Sequence, residues 1–238
     1  MLDEDNCARG NNEKENNLSF YRDGYTIAAT RITDFSSLTP LFKAMQELYT
    51  AISILTQSFG QRTHRQNKPI ACKKGCSWCC FQPVYITTQE ALLLYEYILN
   101  AFEPAQIKNI QDRAEKKLAK TKNLSEEKKQ QIIHACPFLV DNSCSVYSVR
   151  PMACRIYLSQ DEGTCKKKYD NPGCKTVVPA LFDFPLKTGR YLNEGFVAFL
   201  KSKNKTMEEM TIEAFMVKLF NQPDYSAKWL TQNSAWNK

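Results

Sequence analysis

The chain has 238 residues, 43% of them hydrophobic, enough for one large domain or two small ones and for a core that forms without staples. A formal net charge of +7 is a mild bias, short of the concentrated basic footprint of a nucleic-acid binder. No apolar run reaches the length of a membrane span, and the first residues lack the positive start and apolar stretch of a secretory leader. Neither a membrane nor a nucleic acid is therefore an expected partner, and the expected compartment is the cytoplasm.

Residues 1–17 are rich in Asn, Glu and Lys with almost nothing apolar to bury, so a disordered tail is expected there. Residues 24–32 (Gly-Tyr-Thr-Ile-Ala-Ala-Thr-Arg-Ile) are β-favouring and predict a short strand. Thr39-Pro40 then opens a helix, with Thr as cap and Pro at the first helical position. Leu41, Met45, Leu48, Ile52, Leu55 and Phe59 follow at helical spacing. Thr87 with Glu90 forms a capping box for a helix running to Phe102. Pro104 starts another helix, with a narrow stripe of Ile107, Ile110, Ala114 and Leu118; the lysines at 116, 117, 120 and 122 read as its solvated face. Ser125-Glu-Glu caps a third, ending near His134. From Pro137 to Pro185, five prolines and two glycines leave little regular structure. Helices are expected again over Tyr191–Lys201, over Met207–Phe220 after a Thr206…Glu209 capping box, and over Ser226–Ser234. The expected fold class is mainly α, with helices flanking an irregular cysteine-rich metal-binding segment. The expected organisation is a tail over 1–17 and a single domain over 18–238, with its cysteine core at 70–175.

Cys72-Lys-Lys-Gly-Cys76-Ser-Trp-Cys79-Cys80 places four thiols in nine residues, and Cys136, Cys144, Cys154 and Cys165 follow downstream. One buried cysteine acts as a small hydrophobe, but four so close together with lysines between them form no apolar stripe of any period. Thiolates are soft ligands that favour zinc, copper(I) and iron–sulfur clusters. A disulfide framework needs an oxidising compartment, for which the sequence offers no route. All eight cysteines are therefore candidate metal ligands, serving one centre or two adjacent ones. Gly75 frees the backbone to turn before Cys76. Cys79 and Cys80 are neighbours whose side chains tend to diverge, so equivalent roles at one tetrahedral ion are not expected of them. Arg150 and Arg155 flank Cys154; they can favour the thiolates and suit an anionic cofactor group such as a carboxylate. Lys166 to Lys168 read as solvated lysines, and His64 and His134 as bystanders. Trp78, Phe81, Tyr85, Phe138, Tyr147 and Tyr157 read as packing around the site.

Cys-x3-Cys-x2-Cys-Cys, then Cys-Pro-Phe-Leu, then Cys-Ser-Val-Tyr-Ser-Val-Arg-Pro-Met-Ala-Cys-Arg, resembles the CxxCxxCC family of YkgJ-like cysteine-cluster proteins, a zinc- or iron-chelating domain. The resemblance covers roughly residues 70–166. It places the family's eight cysteines on Cys72, Cys76, Cys79, Cys80, Cys136, Cys144, Cys154 and Cys165, and its Arg-Pro on Arg150 and Pro151. Cys7 and Cys174 fall outside the pattern; Cys174 is a candidate substitute ligand. Some members resemble flagellin lysine N-methylases, which implies S-adenosylmethionine as a cofactor and a protein or peptide as substrate.

Three other readings compete. A non-catalytic metal carrier would need no open coordination position, and eight cysteines can close two sites. A zinc-stabilised interaction module would use compact paired knuckles, unlike the long helical spacer here. Cys72-x3-Cys76-x-Trp78-Cys79 also fits the [4Fe–4S] loop of radical-SAM enzymes, but their run of β/α units is missing. The adjacent pair and long spacers favour an iron–sulfur cluster over zinc.

Overall fold

The computed structural model describes residues 2–232. Its architecture is mainly α, as expected, with ten helices and two small antiparallel ribbons among the described residues.

Three long helices form one layer: α1 (Leu2–Arg31), α2 (Thr39–Arg65) and α8 (Asp183–Ser202). In α2, Leu41, Met45, Leu48 and Ile52 are buried, the face set by their spacing. The cap is Leu38 rather than Thr39, and Leu38 makes no side-chain bond; the helix end is held by packing instead. Residues 24–31 are the last turns of α1, with Ile32 just past its end, and no strand forms there. Gly24, Ala28 and Ile32 recur every four residues and are buried. Helical spacing against a helical partner overrides the β preference of single residues. The partner is α8, and the two backbones touch. A Cβ at Gly24 would lie 1.9 Å from the Leu192 carbonyl oxygen, and one at Gly195 would lie 1.9 Å from that of Tyr21. Only glycine permits this crossing. Because α1 begins at Leu2, it also takes in residues of the tail set apart by composition; the side chain of Cys7 lies outside those described.

The second layer holds α3 (Thr88–Ala101), α4 (Pro104–Thr121) and α9 (Ile212–Asn221). The capping box at Thr87 and Glu90 is present. Strands β1 (Tyr85–Thr87) and β4 (Glu209–Thr211) pair Tyr85 with Thr211 and Thr87 with Glu209. Glu209 therefore enters a ribbon rather than a capping box, and α9 starts after Thr211. The helix after Ser125 is short: α5 spans only Glu126–Lys129. The lysines of α4 are not all solvated, since Lys117 is 4% exposed.

The segment from 137 to 185 is more regular than its prolines imply. Strands β2 (Leu139–Val140) and β3 (Ser143–Cys144) form a hairpin. Its two-residue turn, Asp141-Asn142, has both φ values positive, at 47° and 56°, which matches the twist of paired strands. Two helices follow, α6 (Met152–Ile156) and α7 (Glu162–Asp170). The last helix, α10 (Tyr225–Thr231), matches expectation to within the described residues; positions 233 and 234 of the expected element lie outside them.

Candidate metal centre

The first four cysteines sit on a loop and a single 3-10 turn. The Cys76 amide donates to Lys73 O at 3.1 Å, closing a turn whose third residue is Gly75 at φ 89°. The 3-10 turn Trp78–Phe81 then carries Cys79 and Cys80. It is clamped onto α7: Trp78 and Phe81 both pack on Tyr169, with ring centroids 5.2 and 4.9 Å away, and Trp78 Nε1 donates to Glu162 at 3.2 Å. Lys73 reaches the same Glu162 at 3.4 Å.

The downstream cysteines arrive on separate elements. Cys136 is tied directly to the first group, its amide donating to Cys80 O at 2.7 Å. Cys144 is the end of the hairpin. Cys154 rides on α6, which is fixed from two sides. Gly189 of α8 leaves room for Ile156, whose side chain would lie 2.3 Å from a Cβ there. The Met152 amide donates to Glu90 at 2.7 Å. Glu90 therefore caps two helices, α3 and α6, and also accepts from Tyr49 of α2 at 3.4 Å. Sequence reasoning found the first of these roles only; the partners of the others are distant in the chain.

Six of the eight predicted ligands, Cys76, Cys79, Cys80, Cys136, Cys144 and Cys154, line one cavity of about 480 Å³. Arg150, Lys73 and Lys74 stand on its wall, and Val84, Phe138, Val146 and Ile212 make it otherwise apolar. Cys79 and Cys80, expected to diverge, share it. The other two ligands lie beside the cavity: Cys72 Sγ accepts from the Ser159 amide at 3.3 Å, and the Ser159 hydroxyl meets the Cys165 thiol. Among the described residues no three His, Cys, Asp or Glu side chains close around a single ion.

Charge divides the thiols. The hydrogen bond from Cys80, working against burial and assisted by Arg150, brings Cys79 down to about 7. The same bond and burial push Cys80 far up. Burial raises Cys136 to about 11, with Lys117 pulling the other way, and it raises Cys154, Cys144, Cys72, Cys76 and Cys165 as well. Buried thiols held neutral by their surroundings release protons when a metal binds, so ligation here is strongly coupled to pH.

The two arginines differ. Arg150 faces the cavity and lies over the Tyr147 ring at 4.2 Å, and its buried Nε has no hydrogen-bond partner. Arg155 is absent from the cavity wall. It donates to Arg150 O at 2.8 Å and Ser148 O at 2.6 Å and covers the Tyr49 ring at 4.0 Å, so it braces the loop that carries Arg150. Cys174 is exposed, bonds to Thr176 at 3.2 Å and lies off the cavity. His64 is exposed, and His134 is half-buried with its Nδ1 3.4 Å from the Ala135 carbonyl oxygen; neither lines the cavity. Lys166 pairs with Asp170, and Lys168 donates to the carbonyls of Pro172 and Cys174; neither lines the cavity.

The residues that build this cavity carry a family pattern. Residues 71–175 match the CxxCxxCC family model. The family's description is "Putative zinc- or iron-chelating domain". No curated protein and no solved structure matches the chain. The CxxCxxCC segment thus coincides with the elements from the Gly75 loop through α7, and the long helices fall largely outside it. No described helix is long and apolar enough to cross a membrane.

Proposed function

We propose that the CxxCxxCC segment holds an iron–sulfur cluster in the six-thiol cavity, and that the protein is an enzyme rather than a carrier. One observation supports this most: six thiols share a volume of about 480 Å³ with Arg150, which falls in the size range of small-molecule sites, roughly 300–1,000 Å³. A donor set of spread thiols suits a polynuclear cluster better than one tetrahedral ion. When bound, such a cluster supplies one-electron chemistry or an open iron for a ligand atom.

The chain's own residues do the rest. Cys79 is the thiol held readiest to ligate, because Cys80 donates to it and Arg150 favours its charge. Trp78 and Phe81, packed on Tyr169, hold the turn that carries Cys79 and Cys80 against α7. Arg150, stacked on Tyr147 with an unpaired Nε, is suited to orient an anionic group beside the centre. S-adenosylmethionine, which bears a carboxylate, is the cofactor proposed for it, with a protein or peptide as the group accepting modification and the cytoplasm as the compartment. The carrier reading has its own support in Cys72, which is exposed at the cavity's edge and offers a route for metal exchange.

The test is anaerobic purification followed by iron, sulfide and zinc analysis, absorption spectra and titration with S-adenosylmethionine. A brown protein whose spectrum changes on binding supports the enzyme reading. A coloured protein that ignores the cofactor and transfers metal to an apo-acceptor supports the carrier. Stoichiometric zinc without colour overturns the cluster.

A further inference from the structure

Two charged side chains, Lys117 of α4 and Glu213 of α9, are buried where these helices pack. Lys117 and Glu213 are 4% and 1% exposed among Ile110, Ala114, Phe215 and Met216, which are all buried. Lys117 Nζ lies 3.6 Å from a Glu213 oxygen, and neither carboxylate oxygen of Glu213 makes a hydrogen bond. An apolar pair of similar size would hold two helices as well or better, so packing does not account for these charges.

Their position offers an account. Ile212, the residue before Glu213, lines the thiol cavity. Arg113 of α4 donates to Leu139 O at 2.7 Å and so holds the Cys136-bearing segment against this helix. Both charges act on Cys136: Lys117 favours its thiolate, Glu213 opposes it, and Lys117 acts more strongly. The cavity's own lysines, Lys73 and Lys74, are exposed, where solvent and salt screen them. A buried cation behind a ligand is screened far less.

We infer that Lys117 and Glu213 are a buried charge pair behind Cys136 that sets the reduction potential of the centre, Lys117 stabilising the reduced state and Glu213 the oxidised one. Cluster potentials follow local net charge and burial. One electron taken from an external one-electron donor adds one negative charge at the cluster, with no bond made or broken in the pair. Lys117 and Glu213 are positioning charges and touch no substrate. The inference rests on the iron–sulfur reading.

The experiment is a dithionite titration, with viologen mediators, of the anaerobic full-length holo-protein, followed by absorption. Lys117→Met lowers the reduced-to-oxidised ratio at a fixed potential about tenfold, about 59 mV for a one-electron couple. Glu213→Gln raises it by less. Opposite shifts separate this role from a structural one, which would move stability but not the two potentials in opposite senses. Should the single variants fail to fold, Lys117→Met/Glu213→Leu replaces the pair with an apolar one, and a net fall is expected because Lys117 acts more strongly. Native spectra with midpoints unchanged in the variants overturn the inference alone. A colourless wild type overturns the cluster reading and this inference with it.

Discussion

Replacing Glu90 tests whether one carboxylate ties the helical layers to the thiol cavity. Glu90 is buried and accepts from the Thr87 amide at 3.0 Å, the Thr87 hydroxyl at 2.8 Å and the Met152 amide at 2.7 Å. The contact with Tyr49 is longer, 3.4 Å, and adds less. Glu90→Leu leaves two backbone amides without an acceptor. A buried unpaired donor costs about 1–3 kcal/mol, so about 2–6 kcal/mol is expected, less what Leu recovers by not burying a carboxylate. Glu90→Gln keeps the volume but turns one acceptor into a donor that faces a donor, which costs about 1–3 kcal/mol. Against a typical stability of about 5–15 kcal/mol, either loss is readable by urea denaturation. The wild-type carboxyl is raised because burial outweighs its hydrogen bonds. Its contribution is therefore complete below the ordinary Glu pKa and is lost as pH rises through the raised value. The gap between wild type and Glu90→Gln should narrow as pH rises over that window. The Leu variant should also lose metal, because α6 carries Cys154. A Leu variant within about 0.5 kcal/mol of wild type, the usual scatter of a neutral surface change, with full metal content, would refute the reasoning.

Three further outcomes follow from the same structure. In metal-free protein Cys79 should alkylate ahead of the other cavity cysteines above about pH 7, where its thiolate forms, and Arg150→Leu should slow it; peptide mass spectrometry after brief iodoacetamide treatment reads both. Gly24→Leu drives a side chain into the Leu192 carbonyl and should cost at least the roughly 1–3 kcal/mol of ordinary overpacking, seen as a lower Tm. Cys154→Ser should lower the Tm of metal-loaded protein and open residues 136–185 to protease, since binding energy at the site is folding energy; an unchanged digestion pattern would show that the segment packs by itself.

Periodicity made α2 and the α3 capping box legible, because each is encoded within a few residues. The cysteine pattern made the ligand candidates legible because soft thiols at that density have few other uses. What failed was whatever depends on a distant partner. Residues 24–32 favour strand locally, yet Gly24 and Ala28 sit at helical spacing and are buried, Gly24 against α8; the isolated Gly24 and Gly195 are the available signal of close backbone contact. Lys117 belongs to a lysine stripe in sequence but faces α9 in space. Arg150 and Arg155 lie on either side of Cys154 in the chain, yet one faces the cavity and the other bonds to backbone carbonyls.

The amide of Cys136 bonds to the carbonyl of Cys80, although α3 and α4 lie between them in the chain. Closing so long a loop carries an entropic cost, and pairings this distant in the chain are slow compared with local helical contacts. A nascent chain therefore emerges with its first four thiols exposed and without their counterparts. They gain them only once α3, α4, the hairpin and α6 have been made and docked. For the proposed cluster this means that loading waits on completion of the polypeptide through α6, and a chain arrested earlier holds its first four thiols without the cavity.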